Sequence, residues 1–237
     1  MTMDVAGLLL LGLLFGMQHA LEADHLAAVA ALSARRSSPW SMALRGAWWG
    51  TGHTVALFLV CGGALLTGFI ITSRMEAALE FAVGVMITLL GANVIRRVLR
   101  DHIRLRVHRH ADGRPHIHAL AATAGGPTGL PVEHRHRDGF VRPLLVGIVH
   151  GAAGSGALLA ILVATTRSPA VSISYIASFG VGSIIGMTLL TCAASLPLRR
   201  FEHGAAWTGQ LAMAGIGGIA IVIGSRIMLE NYPSLGF

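Results

Sequence analysis

Gly16-Met17-Gln18-His19-Ala20-Leu21-Glu22-Ala23-Asp24-His25 sets two histidines and two carboxylates inside a segment, Val5 to Leu32, that is otherwise almost wholly apolar. At about 1.5 Å of rise per residue, roughly 20 apolar residues cross the hydrocarbon core of a bilayer, so this segment is long enough to span one. An ionised carboxylate at the centre of such a helix costs about 3 kcal/mol on insertion scales. A group that costly needs a partner, and the residue types leave two readings open. One is a divalent cation shared with His19 and His25; the other is a hydrogen-bond cluster or proton relay between helices.

Spacing sharpens the first reading. On a helix of about 100° per residue, His19, Glu22 and His25 succeed one another at about 60°, whereas Asp24 lies about 140° from His19. A straight helix therefore cannot converge His19, Asp24 and His25 on one ion. The motif predicts a first span that is irregular from Gln18 to His25, with His53 of the second span completing the site. Glu22 is expected to accept from an imidazole rather than to bind the ion, since metal-bound histidine commonly donates its other N–H to a carboxylate.

Of the 237 residues, 54% are hydrophobic and 12% charged, against about 25% charged in soluble domains. The fold class this predicts is all-α, a polytopic membrane protein. The net charge of +7 comes from arginine alone, with no lysine in the chain. The arginines cluster at span ends and in one loop, so topology explains them and nucleic acid is not an expected partner. Cys61 and Cys192 both fall in apolar runs, which leaves no disulfide framework and no zinc knuckle. The N-terminal apolar run carries Asp4 where a cleavable signal would be basic, so no cleavage is expected.

Hydropathy marks six transmembrane helices, Val5–Leu32, Ala47–Ile71, Ala78–Val98, Pro143–Thr166, Ser172–Leu196 and Trp207–Leu229. Arg35, Arg36 and Arg45 follow the first, ten arginines from Arg96 to Arg142 follow the third, and Arg199 and Arg200 follow the fifth. The positive-inside rule makes that side cytoplasmic, in an inner (plasma) membrane with both termini outside. Trp40, Trp48, Trp49 and Trp207 belong to the same side, as an interfacial belt would require.

The spans also repeat. Gly16-Met17-Gln18-His19 aligns with Gly147-Ile148-Val149-His150, and Trp49-Gly50-Thr51-Gly52 resembles Phe179-Gly180-Val181-Gly182. Three spans per half force the halves into opposite orientations, a 3+3 inverted repeat. The expected organisation is a first half over residues 1–98, a cytoplasmic loop over 99–140 and a second half over 141–237. That loop holds His102, His108, His110, His116, His118, His134 and His136 among arginine, glycine and proline. Such composition predicts disorder and weak, multiple metal binding that buffers the ion.

Other polar groups fall within spans. His53 follows Trp49-Gly50-Thr51-Gly52 and precedes Thr54, and His150 opens His150-Gly151-Ala152-Ala153-Gly154-Ser155-Gly156. Small residues around both let backbones approach closely. With His19, Asp24 and His25, these two histidines form the expected ligand set, His150 arriving from the inverted half. Glu22, Thr54, Asn93 and Ser155 are expected around the ion or along its path.

His19-x4-Asp24-His25 together with Gly52-His53-Thr54 resembles the nickel/cobalt transporter (NiCoT) family, whose hallmark is a His-x4-Asp-His motif in a membrane span. The chain looks most like the smaller, six-span, urease-associated branch of nickel permeases. The second half departs from the larger members, which have eight spans and an acidic motif where this chain has His150 to Gly156. The resemblance implies a permease, not an enzyme, with Ni2+ or Co2+ as substrate and no prosthetic group. Its other partners would be the lipid bilayer and a cytoplasmic metallochaperone. Uptake is the expected direction, with efflux as the alternative: the His-rich loop is similar to that of nickel/cobalt efflux permeases, whose Pro-Gly-His is replaced here by Ala23-Asp24-His25.

Two other classes fit less well. A rhomboid-type intramembrane serine protease would use Ser155, but Ala153 stands where the first glycine of its motif belongs. The last span also holds no histidine to act as base, so Ser155 would stay unactivated. A sensor binding metal only through the loop would not need costly groups in the bilayer.

Overall fold

The computed structural model describes residues 5–33, 38–68, 71–102, 107–109, 115–117, 139–154, 168–201 and 206–236. They form α1 (Val5–His19), α2 (Ala23–Ser33), α3 (Pro39–Thr67), α4 (Ser73–His102), β1 (Val107–Arg109), β2 (Pro115–Ile117) and α5 (Val141–Ala153). Then follow α6 (Pro169–Phe201), α7 (Ala206–Asn231) and a 3-10 turn, Tyr232–Leu235. Among the described residues the fold is helical apart from one small hairpin.

Local chemistry sets the boundaries. Ser38 caps α3 by accepting from the Ser41 N–H at 3.2 Å, and Pro39 occupies its first turn, where a missing N–H costs nothing. Gly68 closes the helix at φ 70°, a left-handed geometry that glycine adopts freely. The cap starts α3 well before Ala47, where hydropathy begins the span. The β1–β2 hairpin pairs Val107 with Ile117 and His108 with His116, inside the loop predicted to be disordered. Its β-branched ends favour strands, a local preference that average composition hides. The rest of that loop, 103–106, 110–114 and 118–138, lies outside the described residues.

Among the described residues, four helices are long and apolar enough to cross a membrane, within Pro39–Thr67, Ser73–Arg100, Pro169–Ala194 and Gly209–Leu235. The pair Val5–His19 and Ala23–Leu32, bent by 57°, makes a fifth if counted as one span. α5 has 13 residues, and the remainder of the predicted fourth span, 155–166, lies outside the described residues. These lengths fit an integral membrane protein. So does the surface, where Leu59, Leu66, Leu89, Val222 and Leu229 point outward, while His25, His53 and His150 are buried.

Small residues hold the helices together, as expected where lipid competes equally for apolar surface. α1 packs on α6, α3 on both α5 and α6, and α4 on α7. A Cβ on Gly16 would strike the Phe179 carbonyl oxygen, and one on Gly147 would strike that of Trp49. Gly182 likewise abuts the Leu13 carbonyl and Gly52 that of Leu144. In the outer pair, Gly84 faces Gly224 and Gly91 faces Gly217, so α4 and α7 run antiparallel. Between these pairs Ala28, Val29, Trp49, Val94 and Met187, from α2, α3, α4 and α6, share one buried cluster.

Candidate metal centre

The helix break creates the site. α1 ends at His19 and α2 starts at Ala23, joined by tight turns in which Leu21 N–H donates to Gln18 O and Glu22 N–H to His19 O. The irregularity lies where the 140° conflict requires it. Carboxylates hold both sides: His19 Nδ1 lies 2.8 Å from Glu22 Oε1, and His25 Nδ1 lies 3.0 Å from Asp24 Oδ1. Asp24 Oδ1 also accepts from the His25 backbone N–H at 2.8 Å, in the first turn of α2, where a carboxylate suits the helix dipole.

These bonds fix the imidazoles. With Nδ1–H donated to a carboxylate, each ring keeps its Nε2 lone pair, and His19 Nε2 and His25 Nε2 are buried with no hydrogen-bond partner. His53, fully buried on α3, leaves both ring nitrogens unpartnered. Its ring centroid lies 5.1 Å from that of His19 and 5.4 Å from that of His25. One ligand atom from each of His19, His25 and His53 falls within 4.8 Å of the others. Ions bound by imidazole at about 2.0–2.1 Å separate their ligands by roughly 3–4 Å, so a small inward movement closes the triad on a cation.

Asp24 belongs to a second group, not to the first. His150 Nε2 donates to Asp24 Oδ2 at 2.7 Å, and Asp24, His25 and His150 form another set within 4.8 Å. His150 is 2% exposed and keeps Nδ1 unpartnered. His25 is common to both sets, which makes it the hinge of the centre. Unpartnered buried polar atoms cost about 1–3 kcal/mol each, and several imidazole nitrogens left so in one place form a donor set suited to a borderline transition-metal ion.

Two aromatic rings flank the histidines. Phe179 lies 5.5 Å from His19, while Trp49 lies 5.5 Å from His25 and 6.0 Å from His150. Trp49 is 1% exposed, so it does not belong to the interfacial belt assigned to it from sequence. Trp40 is exposed and Trp48 stacks near Phe140 at 5.2 Å, as belt residues would. The alignment of Trp49 with Phe179 was the available signal for this pair of walls.

The other expected residues make contacts of their own. Thr54 Oγ1 donates to the Gly180 carbonyl at 3.0 Å and serves the α3–α6 contact. Asn93 accepts from Arg96 at 3.1 Å, one turn along α4. Ser155, His110, His118, His134 and His136 lie outside the described residues; His102, His108 and His116 are placed by backbone alone.

No protein-family model matches the chain, and no solved structure matches it. It is 29% identical over 194 residues to a protein named urease accessory protein UreH from Bacillus sp. (strain TB-90), a similarity that covers 82% of this chain and 78% of that relative.

Proposed function

We propose that the chain is a membrane permease for nickel, with cobalt as an alternative substrate, and that it supplies the metal for urease maturation. The observation that carries this is the set of unpartnered imidazole nitrogens from His19, His25 and His53, gathered at a break in a membrane-length helix. The UreH relative supports the nickel and urease part of the reading. His19, His25 and His53 bind the ion, Asp24 and Glu22 orient the imidazoles, and His150 with Asp24 forms an adjoining position on the path. The carrier performs no covalent chemistry. The loop histidines buffer the ion, and a cytoplasmic metallochaperone receives it.

The architecture we propose is six spans in a 3+3 inverted repeat within the inner membrane, termini outside and the 99–140 loop cytoplasmic. The paired contacts support it: Gly16 on Phe179 matches Gly147 on Trp49, and Gly182 on Leu13 matches Gly52 on Leu144. With that orientation Phe179 covers the histidines from outside and Trp49 from the cytoplasm. Alternate release of the two rings gives access from one side at a time. A potential of 100 mV, inside negative, contributes roughly 4.6 kcal/mol to inward movement of a double charge. Uptake is therefore the favoured direction, without a nucleotide-driven step.

The test is flux of radiolabelled nickel and cobalt into proteoliposomes of defined orientation, with an imposed potential. Inward accumulation that follows the potential is expected. Reconstituted, correctly folded protein that moves neither ion would refute the reading.

A further inference from the structure

A carboxylate stands outside the centre, on α4. Glu80 lies in α4, within the membrane-length segment Ser73–Arg100, and is partly buried. It shares its helix face with Ala77, Val83 and Ile87, which are only 4%, 1% and 0% exposed. Val83 and Ile87 pack in one cluster with Ala27 of α2 and Ala153 of α5. Ala27 is one turn from Asp24 and Ala153 one turn from His150, so Glu80 borders the junction that holds the Asp24–His150 pair. Asp24 and His150 both act on its carboxylate electrostatically, as do Glu76 and Glu22. The described residues offer it no ion pair, and an unpaired carboxylate at membrane depth is a costly feature without a function. His150 adds an independent sign of a ligand here, being 2% exposed with its second ring nitrogen unpartnered.

We propose that Glu80 is a contact point on the ion's path, which captures the incoming divalent cation and passes it to Asp24 and His150. This rests on the permease reading. It lies toward the start of α4, the end opposite the arginine-rich connections, with Glu76 a turn nearer that end and Glu22 56% exposed beside the break. A cation arriving from that side meets negative charge at each step before the imidazoles. The imidazole triad supplies affinity; Glu80 supplies the rate of filling.

The experiment compares wild type, Glu80→Gln, Glu80→Asp and His25→Ala in nickel uptake by proteoliposomes and in equilibrium nickel binding to purified protein. Glu80→Gln should lower uptake at limiting nickel on the order of tenfold, the low end of the 10–10³ effect of charge-lined clefts. Saturating nickel should restore its maximal flux, equilibrium binding should stay near wild type, and Glu80→Asp should recover much of the loss. Wild-type uptake by Glu80→Gln at limiting nickel overturns the proposal. Equal loss of binding, flux and thermal stability in both Glu80 variants overturns it too, by making the residue structural. Absence of flux in wild type would instead sink the permease reading itself, and His25→Ala separates these cases by losing binding while Glu80→Gln keeps it.

Discussion

The two ends of the chain pack alike and differ in chemistry. His19 stacks by Phe179 at 5.5 Å, and His150 stacks by Trp49 at 6.0 Å. Each histidine follows three residues after a glycine, Gly16 or Gly147, that is pressed against the backbone of the matching aromatic. Beyond this scaffold the likeness ends. α2 contributes Asp24 and His25, and α3 contributes His53, where α6 has Ser183 in the corresponding place. Scaffold positions tolerate only small side chains in both regions, whereas the buried imidazoles are concentrated in the N-terminal one. Backbone contact and the placement of imidazoles are thus separable constraints on the same helices.

The largest way to break this asymmetry is His25→Ala. His25 joins the His19–His25–His53 set to the Asp24–His25–His150 set, so its loss disables both. Nickel affinity should fall by more than about 100-fold, beyond the 10–100-fold typical of losing a residue that merely orients a ligand. Titration of the purified variant checks this. Affinity within about tenfold of wild type, a difference of roughly 1.4 kcal/mol, would mean that the triad is not the site.

How much of this was legible follows from the same residues. The break at Ala20–Glu22 could be deduced because 100° per residue makes His19 and Asp24 incompatible on one helix. The company of His53 and His150 could be expected from their depth and small neighbours. The division into two groups could not, since it depends on which carboxylate oxygen meets which ring nitrogen. Trp49 was misplaced because interfacial and buried tryptophans have the same local sequence context. For Thr54 and Asn93 the sequence could not give the partners, Gly180 and Arg96, because these depend on packing and rotamer. Glu80 carries no motif of its own in the sequence, because its neighbours of interest belong to α2 and α5.

A second measurement sharpens the scaffold half of the comparison. Gly16→Ala and Gly147→Ala each push a Cβ into a backbone carbonyl. Overpacking of this kind costs typically about 1–3 kcal/mol. The two variants should lose similar thermal stability in detergent, whereas Gly63→Ala and Gly218→Ala, where the new Cβ meets nothing within 4 Å, should lose none. Markedly unequal losses at 16 and 147 would argue that the two contacts are not structural counterparts.

The smallest expected effect is at the position where the two regions part company. Ser183 is fully buried with its hydroxyl unpartnered, and its backbone N–H faces Gly16 as that of His53 faces Gly147. Were the second region a working copy of the first, this hydroxyl would be its remaining ion contact. The asymmetry argues otherwise: a neutral hydroxyl with no carboxylate bonded to it among the described residues is a weak ligand for a borderline cation. Ser183→Ala removes a buried polar group that pays about 1–3 kcal/mol for lost hydration. The variant should therefore keep or slightly raise its melting temperature. Its nickel affinity should stay within about twofold of wild type, roughly 0.4 kcal/mol. A drop well beyond twofold in affinity, with the melting temperature unchanged, would place Ser183 on the ion and make the two regions chemically alike after all.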